Sequence, residues 1–110
     1  MMFPPVTIGS QTFTAEVVPG NDTDLLVEGE EGSIDYETGK IYLRSMAADR
    51  MHATWQHEIV HAAFDSSGID YLVACVAKKM GVDADDLTEI VVRMLTPALA
   101  SVLCVQQPVL

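Results

Sequence analysis

Basic residues are scarce in this chain. Six lysines and arginines stand against sixteen aspartates and glutamates, for a formal net charge of -10. Such a surface repels phosphate backbones, so nucleic acid is not an expected partner. Eight of the acidic residues precede Arg44, which reads as a solvated face or a face for a basic partner. Cysteine is limited to Cys75 and Cys104, far apart and each within an apolar helical stretch. They read as buried free thiols, not a disulfide. Neither belongs to a Cys-x-x-Cys pair, which excludes a zinc ribbon. No apolar run approaches the roughly 20 residues that cross a membrane. The opening MMFPPVTIGS has neither the basic stretch nor the apolar core of a signal peptide. A cytoplasmic protein with no membrane partner is expected.

What is present is apolar and patterned. The 110 residues are 49% hydrophobic, enough for one domain over residues 1–110 with a real core. The pattern changes near Ser45. Before it, VTI and TFTAEVV form a hairpin around Gly9-Ser10, with Phe13, Ala15 and Val17 alternating as on a half-buried strand. DLLVEG reads as a short third strand, and GSIDYETGKIYL as a second hairpin turning at Thr38-Gly39. After Ser45 the period is helical. One helix covers Met46 to Ser66 and ends at Gly68, and a second covers Ile69 to Met80 and stops at Gly81. A third is capped by Asp83, with Asp85 and Asp86 in its first turn, and is kinked by Pro97. The predicted fold is α+β: a small, mostly antiparallel N-terminal sheet packed on one helix, followed by two C-terminal helices.

The first helix holds TWQHEIVHAAF, with His57 and His61 separated by Glu58, Ile59 and Val60. At about 100° per residue, Met51, Trp55, Ile59, Ala62 and Ala63 gather on the side opposite His57. Histidines at i and i+4 stand one turn apart, so both imidazoles can reach one zinc ion. Glu58 is placed as a general base that takes a proton from water and passes it to the leaving amine. A motif with three fixed letters also arises by chance on helix surfaces. Here its position in mid-helix, opposite the apolar stripe, favours the zinc site.

The run GSIDYETGKIYL, TWQHEIVHAAF and LTEIVVRMLTPALASVL resembles the small phage and prophage metallopeptidase-like proteins related to the ImmA/IrrE zincins. The resemblance spans most of the chain, and its most specific part is the His-Glu-x-x-His motif. It implies a zinc-dependent peptidase of gluzincin type acting on a protein or peptide, in the cytoplasm of a bacterial host. It also implies a third ligand from a later helix, where Glu89 is the matching residue and the only glutamate after Glu58. Glu89 precedes Ile90, Val91 and Val92, so it reads as the polar exception on a largely buried helix. Asp65 is the rival ligand. It continues the row of His57 and His61, but a short side chain one turn further along strains to reach the same ion.

Other polar residues carry weaker signals. His52 lies about 140° from His57 on the helical wheel, which removes it from the ligand set. Tyr36, Tyr42 and Tyr71 each bring a phenol able to face an oxyanion, although tyrosines more often pack. Thr54 lies one turn before His57, and the methionines read as gap-fillers. ImmA/IrrE-type proteins often carry a helix-turn-helix segment, and this chain has no room for one. A peptide substrate is expected to pair with an edge strand around Lys40 to Arg44. The apolar IDYLVACVAKKMG is either a wall of the cleft or a surface for homo-oligomers. The alternative function is a non-catalytic zincin fold serving as a binding or virion-associated module.

Overall fold

The computed structural model describes residues 3–106, with side chains through Leu99. The chain forms β1 (Val6–Ile8), β2 (Gln11–Val18), β3 (Gly32–Asp35) and β4 (Lys40–Arg44). The helices α1 (Ala48–Ser67), α2 (Ile69–Met80) and α3 (Ala84–Gln106) follow. The class is α+β, as expected from the change of period near Ser45. Among the described residues no single helix is long and apolar enough to cross a membrane. Only α1 and α2 together reach that length, and they are bent by 85°.

The sheet order is β1-β2-β4-β3. Both hairpins are antiparallel, with Val6 opposite Phe13 and Ile34 opposite Ile41. The strands β2 and β4 run parallel, with Ala15 beside Ile41 and Val17 beside Leu43. This pairing corrects one expectation. Lys40 to Arg44 is an interior strand, and the edges of the sheet are β1 and β3.

A second correction concerns DLLVEG, which is loop and not strand. Its backbone groups find local partners instead of a ladder. Asp22 Oδ2 accepts from the Leu25 and Leu26 amides, and Glu30 Oε1 accepts from the Val27 amide. Arg44 then gathers the loop. Its guanidinium donates to the carbonyls of Gly20, Asp22, Val27 and Glu30. Leu26 anchors the loop from below as a fully buried side chain.

The sheet and α1 meet through Phe13, Ile41 and Leu43 on one side and Trp55, Ile59 and Ala62 on the other. That is the α1 face the helical period marks, with Ala63 only half-buried. Gly32 lets β3 lie close to the helix, because a β-carbon there would sit 2.6 Å from Thr54 Cγ2. A smaller cluster of Val60, Phe64 and Val92 fixes α3 against the opposite flank of α1. Gly68, at φ 82°, makes the left-handed turn between α1 and α2. Asp83 Oδ1 accepts from the Asp86 amide and caps α3, and the helix runs on through Pro97.

The C-terminal half is less buried than its composition suggests. Ala77 is the one α2 residue that is fully buried, and Cys75 is an exposed free thiol. Cys104 lies outside the described side chains. Ile90 is exposed, so Val92 and the half-buried Val91 anchor the stretch after Glu89, and Met80 and Met94 are exposed too. An apolar period marks which residues can face a core. It does not supply a second layer to cover them.

Candidate metal centre

His57 and His61 stand one turn apart on α1, with ring centroids 4.9 Å apart and edge to face. Both are mostly covered, at 23% and 20% side-chain exposure. What covers them is α3. Docking of Val92 into the Val60 and Phe64 cluster brings Glu89, one turn earlier, over the two rings. The Glu89 carboxylate bridges them. His57 Nε2 donates to Oε1 at 2.7 Å, and His61 Nε2 donates to Oε2 at 2.9 Å. Burial alone would raise the Glu89 carboxyl, but hydrogen bonding and attraction from His57, then from His61, hold it below its ordinary value.

The atoms that make these bonds are the ones a metal would use. One ligand atom each from His57, His61 and Glu89 lies within 4.8 Å of the others. Two imidazole nitrogens and a carboxylate oxygen match the donor set of a catalytic zinc site, which keeps its fourth position open. Asp65 stands outside this cluster as an exposed residue. Asp65 lies one turn beyond His61 on α1, while Glu89 approaches from α3. His52 shares a hydrogen bond with Gln56 at 3.2 Å and packs beside Phe3 and Trp55. It is also outside the cluster.

Glu58 is buried to 9% exposure and borders the same cavities as the histidines. Loss of water pushes its carboxyl from the usual 4.5 up to about 7. His61 opposes this, and Glu89 and Glu30 add to it. One cavity of about 670 Å³ extends over His57, Glu58 and Glu89, between the Gly29 to Gly32 stretch and Arg50 and Arg93. Arg50 is tied to Glu31 by an ion pair. Thr54 spends its hydroxyl on the Arg50 carbonyl at 3.0 Å, so its contribution is to the cavity wall. A second cavity of about 380 Å³ follows the β3 edge to Glu58, His61 and Glu89.

Several residues of the cleft carry little individual signal in the sequence. Arg93 is legible in hindsight, because it lies four residues after Glu89 and so shares its helical face. Glu30 and Glu31 reach the cleft only through the loop that Arg44 organises, and no periodicity marks a loop. No protein-family model, curated protein or solved structure matches the chain.

Proposed function

We propose that the chain is a small zinc-dependent peptidase, akin to the phage and prophage zincins of the ImmA/IrrE kind. One observation supports this most. His57, His61 and Glu89 converge within 4.8 Å, and the buried Glu58 borders the same cleft. Zinc held by the three would supply a Lewis acid and lower the pKa of a water toward about 7. Glu58 takes a proton from water as the water oxygen bonds to the substrate carbonyl carbon, and the π pair moves onto the carbonyl oxygen. The same carboxyl then gives that proton to the amide nitrogen as the C–N bond breaks. An elevated proton affinity suits both transfers near neutral pH. The free edge of β3 offers unpaired backbone groups for an extended peptide beside Glu58.

The test is Glu58→Gln. The variant should keep its zinc while hydrolysis of a mixed peptide pool falls by several orders of magnitude. Wild-type protein that binds zinc and leaves every peptide intact would instead fit the non-catalytic zincin fold. Loss of zinc from the variant would make Glu58 a ligand or a structural residue.

A further inference from the structure

Helices α2 and α3 leave large apolar side chains in water. On α2, Leu72, Val76 and Met80 recur every four residues and are 50–62% exposed. On α3, Ile90 and Met94 stand one turn apart, at 55% and 72% exposure. Val82, in the turn between the helices, is 46% exposed. The opposite side of the helix pair belongs to the cleft. There Asp70 and Ala74 of α2 line a cavity with Ala84, Thr88 and Glu89 of α3. At about 100° per residue, Val76 stands about 160° from Ala74, and Met94 about 140° from Glu89. Both apolar stripes are therefore turned away from the cleft and its histidines.

We propose that this face is the interface of a two-fold symmetric homodimer, so that its occupant is a second copy of the chain. The proposal is independent of the peptidase reading. Area supports it first. The six residues expose roughly 700 Å² of surface, above the roughly 300–600 Å² of the largest apolar patch on a typical monomer. A stable interface takes about 800 Å² from each partner, and a polar rim supplies the rest. Charge then selects the partner. The chain as a whole, at -10, repels its own copies. This face, however, carries opposite signs at its two margins. Lys79 lies about 20° from Leu72 on the α2 wheel, and Asp86 lies one turn before Ile90 on α3. Neither makes an ion pair among the described residues. A two-fold axis sets residue i of one copy against j of the other, and j against i. With the helix pairs laid antiparallel, the lysine margin of each copy meets the aspartate margin of the other. Repulsion is thus offset where the copies touch, and both clefts stay open on the outer sides.

The experiment is sedimentation velocity of the full chain, from low micromolar to near-millimolar concentration. Wild type should sediment near twice the 11.9 kDa of one chain. Leu72→Glu and Met94→Glu each place an unpaired carboxylate in the interface. Each should weaken dimerisation by at least about 100-fold and leave single chains. Their circular dichroism should match wild type, because both side chains are exposed on the single chain. Val27→Glu, in the loop between β2 and β3, lies outside the face and should remain dimeric. Lys79→Glu should weaken the dimer about tenfold, and adding Asp86→Lys should restore it. Wild type that stays a single chain at every concentration overturns the proposal. So does a dimer that neither Leu72→Glu nor Met94→Glu disturbs, which places the contact elsewhere. Species that grow beyond the dimer overturn the two-fold arrangement. If both glutamate variants unfold, the charge reversal decides alone: rescue by Asp86→Lys supports the dimer, and failure to rescue overturns it.

Discussion

Glu58 shows most directly how burial shapes chemistry in this chain. Its carboxyl is pushed to about 7 from an ordinary 4.5, mainly by loss of water. The folded metal-free protein therefore binds more protons at this site than the unfolded chain between those two values. Stability from Glu58 is present at low pH and is lost as pH rises through about 7. Replacing Glu58 by glutamine removes that loss. Metal-free Glu58→Gln should be more stable than wild type at pH 8, by on the order of 2 kcal/mol, and similar to it at pH 4. Urea unfolding in the presence of chelator reads both values. Equal stability of the two proteins at pH 8 would mean that Glu58 titrates as an ordinary carboxyl. Such a penalty is what the proposed role of Glu58 as a general base would carry, because the proton affinity needed for reaction is rarely the one that favours the fold.

At the scale of elements, the site depends on how α3 docks. Val92 is not a candidate ligand, yet it is fully buried against Val60 and Phe64 and sets the height of Glu89 over the rings. Val92→Ala should cost about 2 kcal/mol of stability. It should also weaken zinc binding by several-fold, although it removes no ligand. Zinc affinity equal to wild type in that variant would show that Glu89 is positioned by its own bonds alone. The sequence made the α1 face legible, because the stripe of Met51, Trp55, Ile59 and Ala62 repeats at helical spacing. Both hairpins, Gly68 and the Asp83 cap were legible for similar local reasons. Two features were not. The parallel pairing of β2 with β4 joins strands separated by the loop that Arg44 holds, and local pattern carries no record of such a partner. The loop itself resembles a strand in composition, but Asp22 and Glu30 satisfy its amides first. The expected burial of Cys75 failed for a related reason: α2 has neighbours on one side only among the described residues.

For the whole molecule, a net charge of -10 accompanies the His57, His61 and Glu89 cluster, which is proposed to hold a cation. Zinc that binds the folded chain and not the unfolded one adds stability by mass action, about 2.7 kcal/mol at a hundredfold excess over Kd. A rise in Tm with added zinc should therefore follow affinity across variants. The most direct measurement is metal content by mass spectrometry after chelator-free purification, with zinc Kd determined alongside. It covers wild type, His57→Ala, His61→Ala, Glu89→Ala, Asp65→Ala and Glu58→Gln. About one zinc per chain is expected in wild type and in Glu58→Gln, and close to none in either histidine variant. Glu89→Ala should be weakened well beyond Asp65→Ala, whose loss should be about 10- to 100-fold at most. Wild type with almost no metal, or Glu89→Ala holding zinc as tightly as wild type, would contradict the metal centre proposed for this fold.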